Sequence, residues 1–407
     1  MTRTLFQNGL IFDGQQPELI ADRYITVRDG VISSVTDEAP DGPFDEIVDL
    51  KGNVILPGFI DAHFHAYAVD LDFVRLEAMP ATYVAQRGRH LMEQALRRGF
   101  TTVRDVGGAD YGLWRAIEEG YVVGPRLFYC GRAFSQSGGH GDIRAPHLEW
   151  QACGCSPKGI LAEVVDGVDN LRKSAREALR QGAHHLKIFV SGGIASPSDP
   201  IWMLQFSEQE IAAVVDEAER RRAYVVAHAY TAETITRAVR LGVRSIEHGN
   251  LIDDAAAAQV VQHGAFVVPT LVTYDSLHRY GRSAGAAAHL LDKLETVRAD
   301  GMRAIERCRA AGVKLGFGTD LLGALHSHQC EEFRLRGEVE TPVQVLISAT
   351  SVNAELINMS GKLGSIAEGA FADFVVVDGN PLEDLSLLYR PDSAIRAVWK
   401  GGAVVSR

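Results

Sequence analysis

From Gly58 onwards the chain alternates short apolar runs with amphipathic helical stretches, and that alternation leaves few folds open. Apolar runs separated by helices are the mark of parallel strands joined by crossover connections. Eight runs can be placed, at 58–61, 101–106, 126–130, 185–190, 224–227, 245–246, 265–270 and 314–318. Helical periodicity lies between them, at 83–98, 207–222, 232–241 and 298–311, and a last helix is expected from about 342 to 359. Eight strands with eight crossovers predict an α/β fold of the closed (β/α)8, or TIM barrel, kind.

The two ends have a different texture. Asp13-Gly14 and Asp29-Gly30 punctuate short β-prone runs before residue 56, and the second turn predicts a hairpin. After Gly361 the β-texture returns at 374–377, 394–400 and 403–405. Neither end reads as a sheet alone, so the expectation is a small composite β-domain formed from 1–56 and 361–407, flanking a barrel at 57–360. Two long connections, 131–170 and 271–297, read as loops of the kind that close over a site.

Charge and cysteine content narrow the partners. A net charge of −11 argues against nucleic acid and anionic membranes and leaves small molecules as partners. No run approaches the ~18 apolar residues of a membrane span, and Met1–Leu5 does not open a signal peptide, so a cytoplasmic protein is expected. Five cysteines, Cys130, Cys153, Cys155, Cys308 and Cys330, are an odd number in a long chain and read as reduced thiols. The Arg220–Arg222 run ends a helix, where cations complement the dipole.

The chemistry gathers at strand ends. His63 and His65, two apart on the first strand, point the same way. His228 ends Val-Val-Ala-His, His248 ends Ser-Ile-Glu-His, and Asp320 follows Gly-Phe-Gly-Thr on the last strand. Each falls at a carboxyl end, where barrels place catalytic groups. Four imidazoles and a carboxylate at one rim are costly to bury without an ion, and the set suits zinc. Lys187 interrupts an apolar strand. A lysine there must become a neutral amine, open to carboxylation into a metal-bridging carbamate, or pair with a carboxylate. His140, in a glycine-rich loop, and Tyr230, just past His228, are candidates for catalytic donors and substrate contacts. His328, in the 322–329 segment after Asp320, is a candidate reader of a substrate carboxylate.

The ordered set His63-x-His65, Lys187, His228, His248, Asp320 resembles the binuclear pattern of the amidohydrolase superfamily, as do the 54–58 and 364–374 segments that flank the barrel. The Gly-Gly-His-Gly and His-Ala-Tyr segments resemble imidazolonepropionase-related Xaa-Pro dipeptidases (prolidase-like). The resemblance implies two Zn2+ or other divalent ions. His63, His65 and Asp320 would hold one, His228 and His248 the other, with carboxylated Lys187 and a hydroxide bridging. It further implies cleavage of an amide bond in a dipeptide or N-acyl amino acid, with Asp320 shuttling the proton, and a homo-oligomer. The alternatives are a cyclic amidase or deaminase of the same superfamily and a non-catalytic scaffold.

Overall fold

The computed structural model describes residues 2–144 and 159–406. Cys153 and Cys155 lie outside the described residues. Cys130, Cys308 and Cys330 are buried free thiols.

The apolar runs become parallel strands. Seven form one sheet, in the order Ala162–Val164, Ala133–Ser135, Leu186–Phe189, Val225–Thr231, Ser245–Leu251, Phe266–Val268, Lys314–Leu315. Three more, Phe59–Phe64, Phe100–Asp105 and Arg126–Tyr129, form a second parallel sheet. Backbone hydrogen bonds also tie strands of the second sheet to residues flanking strands of the first. Ala62 N donates to Phe317 O at 2.8 Å, Asp320 N to His63 O at 2.8 Å, and His184 N to Tyr129 O at 2.8 Å. This α/β architecture, with a seven-stranded parallel sheet, is barrel-like.

Two expected loops are corrected. The 271–297 connection is mostly helical, at Leu271–Tyr280 and Ala288–Arg298, whose buried Val272, Leu277, Leu290 and Leu294 join the main core. The 131–170 connection carries two short strands, at Ala133–Ser135 and Ala162–Val164. The expected last helix is broken by a π-turn at Ser348–Val352. That turn is followed by Asn353, whose side chain donates to Ile60 O (2.6 Å) and Phe317 O (2.8 Å) and so stitches the first and last strands of the parallel run.

The helices are ordinary amphipaths. Glu208–Arg220 starts on a Ser207–Glu210 capping box and buries Ile211, Val214 and Ala218. Within the triple-arginine run, Arg220 pairs with Asp216 at 2.9 Å.

At the ends, Asp29 and Gly30 both take positive φ, and the hairpin Tyr24–Arg28/Val31–Thr36 forms across them. Residues 3–49 supply all four strands of one sheet, and the C-terminal segment bonds along its edge, where Ile32 N donates to Ala370 O at 2.8 Å and Gly369 N to Ile32 O at 2.9 Å. A second sheet does mix the ends, in the order Ala403–Ser406, Ile395–Lys400, Phe374–Val377, Val54–Pro57, Leu10–Ile11. Phe6 joins the two sheets by packing edge-on against Phe374 and Trp399, with ring centres 5.2 and 4.9 Å away.

Candidate metal centre and active-site cavity

The carboxyl ends of the parallel strands open into a cavity of about 510 Å³. His63, His65, Lys187, His228, His248 and Asp320 all line it. Their backbone is bent to do so. Asp320 (φ 52°) and His248 (φ 73°) sit in the left-handed region, which costs a non-glycine residue about 1–3 kcal/mol and tends to mark functional sites.

Asp320 Oδ1 stands 3.3 Å from His63 Nε2 and 3.2 Å from His65 Nε2. Donors about 2.0–2.2 Å from one tetrahedral ion lie roughly 3.4 Å apart, so this trio has the spacing of a shared cation. The rings of His228 and His248 lie 4.7 Å apart, and those of His63 and His248 4.9 Å apart. Among the described residues, the His63–His65–Asp320 trio is the one convergent set of three imidazole, thiolate or carboxylate donors.

Each imidazole has one nitrogen already engaged by a partner outside the cluster. His63 Nδ1 meets Glu247 Oε2 (2.7 Å), His65 Nδ1 meets Gly107 O (2.9 Å), His228 Nε2 meets Gly192 O (3.2 Å) and His248 Nδ1 meets Thr270 Oγ1 (2.8 Å). Such partners set the tautomer and leave the other nitrogen as a lone-pair donor, the usual second layer of a metal site. Burial pushes the His228 and His248 imidazoles well down, towards the neutral form a cation needs. Asp320 keeps its charge although burial opposes it, because His63, His65 and His248 hold its carboxyl well below the ordinary value.

Lys187 is 2% exposed, and burial lowers its pKa to about 8, against the opposing pull of Glu247 and Asp320. No carboxylate among the described residues is hydrogen-bonded to it or ion-paired with it. The paired-lysine alternative therefore finds no hydrogen-bonded carboxylate among the described residues, and burial moves Lys187 towards the neutral amine without reaching it at neutral pH.

His140 and Tyr230 are also on the cavity wall. The His140 ring stacks on His228 at 4.3 Å, and Tyr230 stacks on His248 at 5.2 Å while its hydroxyl shares a hydrogen bond with Tyr274 (3.0 Å). His328 is placed elsewhere, which corrects its reading as a carboxylate contact. Its Nδ1 bonds Glu331 (2.7 Å), its ring stacks on Tyr280 at 4.5 Å, and it lies outside the cavity lining. A short 3-10 helix at Gly323–His328 turns it away, and neighbouring His326 points into the core against Phe64.

Several contributing residues were not read from the sequence. Besides Glu247, Asp105 binds the amides of Ala66 (2.6 Å), Gly107 (3.0 Å) and Ala109 (3.1 Å), fixing the turn whose carbonyl holds His65. Asp61 gathers His63 N, Thr319 N and Oγ1, and Gln329 Nε2, tying the first strand to the last. The signal was present: an acid inside an apolar strand is as costly as the lysine that did attract notice.

Known proteins share this architecture. Residues 54–406 match the sequence profile of the Amidohydrolase family. A prolidase crystallised in complex with N-methylphosphonate-L-proline is 46% identical, with a TM-score of 0.97 and 100% of each chain covered. A Xaa-Pro dipeptidase with methionine bound in its active site is 28% identical, with a TM-score of 0.88 and 99% of each chain covered. Ochratoxinase from Aspergillus niger is 30% identical over 98% of this chain and 86% of its own length.

Proposed function

The chain belongs to the amidohydrolase family and is a hydrolase of carbon–nitrogen bonds of the amide or peptide kind, and from that premise we propose that it cleaves Xaa-Pro dipeptides or N-acyl amino acids at a binuclear metal site. One observation carries the reading: four histidines, each anchored through one nitrogen, share a single cavity with Asp320 and a buried lysine that has no carboxylate partner among the described residues. Likeness to the prolidase supports proline as the leaving residue. The apolar wall of Phe73, Leu161, Ile194, Leu277 and Leu290 suits an apolar acyl group.

In this reading His63, His65 and Asp320 hold one ion and His228 and His248 the other. The second pair lacks a third donor of the usual types among the described residues, and Lys187, if carboxylated, would supply an anionic oxygen ligand there. Zinc suits the donor set. When bound, two such ions supply Lewis acidity for the scissile carbonyl and a nucleophilic water at neutral pH.

The chain's own groups do the remaining work. Asp320, the carboxylate between His63 and His65, takes the proton of the attacking water and passes it to the leaving nitrogen. His140 and Tyr230 donate to the oxygen that gains charge. Tyr274 holds the Tyr230 hydroxyl in place, so that donor needs little reorganisation. We also read the two parallel sheets as one closed (β/α)8 barrel over 57–360, with 1–56 and 361–407 as its composite β-domain.

The test is metal content per chain together with hydrolysis of a panel of Xaa-Pro dipeptides and N-acyl-prolines. Wild type and Lys187→Ala are compared after growth with zinc and bicarbonate. Near two ions in wild type, clear loss in the variant and cleavage of proline amides are expected. One ion unaffected by the lysine change, or a wholly intact panel, overturns the proposal.

A further inference from the structure

Residues 191–206, Ser-Gly-Gly-Ile-Ala-Ser-Pro-Ser-Asp-Pro-Ile-Trp-Met-Leu-Gln-Phe, follow the strand of Lys187 and contain no helix and no strand of a named sheet. Something other than a ladder must set the shape of such a segment. Lys293, from the helix Ala288–Arg298, reaches across to it. Its Nζ donates to Gly193 O (3.0 Å), Ser196 O (2.8 Å) and Asp199 O (2.6 Å) and stands 3.4 Å from Asp199 Oδ1. One ammonium thus gathers three carbonyls of one arm, using all three of its protons. His289, on the same helix, holds Ala195 O at 2.9 Å.

The arm in turn grips the site. Asp199 is fully buried, and its Oδ2 meets His140 Nδ1 (3.1 Å), Gly193 N (2.8 Å) and Gln205 Nε2 (3.3 Å). Gln205 Oε1 accepts from His140 N at 2.9 Å, so both the backbone and the ring of His140 are fixed from this arm. Gly192 O is the carbonyl beside His228 Nε2. Contact is close enough to exclude any side chain. A Cβ on Gly193 would stand 2.1 Å from His140 Cε1, and one on Gly192 would stand 1.8 Å from Pro200 O. Neither Asp199 nor Lys293 lines the cavity.

We propose that Asp199 and Lys293 are positioning residues. Lys293 clamps residues 191–206 so that the Asp199 carboxylate engages His140 Nδ1 and presents Nε2 to the substrate. The inference rests on His140 being a substrate donor. A carboxylate on one ring nitrogen fixes the direction in which the other faces, and a ring displaced by about 1 Å can cost ~10²-fold in rate.

The experiment places Lys293→Met, Asp199→Asn and Gly193→Ala in wild-type and His140→Ala backgrounds. It measures kcat and KM on the proline amide that wild type cleaves. In parallel, ¹⁵N-histidine spectra of the full chain follow the His140 Nδ1–H resonance, assigned by its loss in His140→Ala. Each single change is expected to lower kcat by about tenfold or more with KM moved less. The same changes in His140→Ala are expected to cost no more than about twofold, because residues acting through one group are not additive. The resonance should broaden or vanish in Lys293→Met and Asp199→Asn. An undiminished loss in the His140→Ala background, or a resonance unmoved by both changes, overturns the proposal. If no proline amide is cleaved, or His140→Ala turns over like wild type, the substrate or donor reading fails instead, and the spectra alone decide whether Lys293 and Asp199 position His140.

Discussion

Glu247 is the residue whose loss should separate stability from metal binding most cleanly. It is wholly buried, with Oε2 2.7 Å from His63 Nδ1, while Oε1 accepts from Arg104 Nη2 (2.8 Å) and Ser245 Oγ (2.5 Å). Burial opposes its charge, but Arg104, His63 and Lys187 hold its carboxyl well below the ordinary range. Glu247→Gln keeps the shape and removes the charge, leaving the fully buried Arg104 guanidinium without a counter-ion. Breaking a buried pair from one side costs about 3–5 kcal/mol, and a retained neutral hydrogen bond puts this case near 3 kcal/mol. A melting temperature lower by about 3–4 °C is expected for the metal-free protein. Adding Arg104→Met removes the orphaned cation and should recover at least roughly half of the loss. Zinc affinity should not recover with it. His63 has lost its carboxylate partner in both variants, so both should bind zinc about 10–100-fold more weakly than wild type. Circular-dichroism melts and zinc competition against a chelating dye read the two quantities. A double variant as unstable as Glu247→Gln, or one with wild-type zinc affinity, would refute the reasoning.

Three further outcomes are expected. Burial pushes the Glu332 carboxyl from 4.5 up to about 8, with Arg336 opposing, and one of its oxygens accepts from Val272 N at 2.6 Å. The folded chain therefore holds this proton more tightly than the unfolded chain. Its contribution to stability is full below about pH 4.5 and drains away as pH rises through about 8, on the order of 1 kcal/mol per unit in between. Glu332→Gln should flatten urea midpoints across that window, and an unchanged slope would assign the pH dependence elsewhere. A Cβ at Gly318 would stand 2.6 Å from both His63 Cβ and Val268 Cγ1, so Gly318→Ala should cost roughly 1–3 kcal/mol and most of the bound metal, read by melts and elemental analysis. His328→Ala, outside the cavity, should leave kcat/KM within about twofold of wild type. A tenfold loss would return His328 to the substrate site.

Much of the candidate site was legible because its cavity-lining polar side chains interrupt or close apolar runs. His63 and His65 share a strand face by the period of two, and His228, His248 and Asp320 each close an apolar run. Lys187 stood out because its charge contradicts its neighbours. His328 misled because polarity near Asp320 says nothing about direction, and the 3-10 turn at Gly323–His328 rotates its ring towards Tyr280. The 271–297 stretch reads as a loop because its helices are separated by Gly-Arg-Ser-Ala-Gly and the first is buried round most of its surface, which blurs the helical period.

Alone, the sequence determined the period of the fold, the strand ends whose polar side chains line the cavity and the Asp29-Gly30 hairpin, since each depends on residues a few positions apart. Only the tertiary structure decided which partner engages each histidine. Glu247 meets His63 from 184 residues away, Asp199 meets His140 from 59, and Lys293 closes on Gly193 from 100. A side chain buried without a local partner must find one across the core, and where it finds it is set by how the strands and helices pack, not by spacing along the chain.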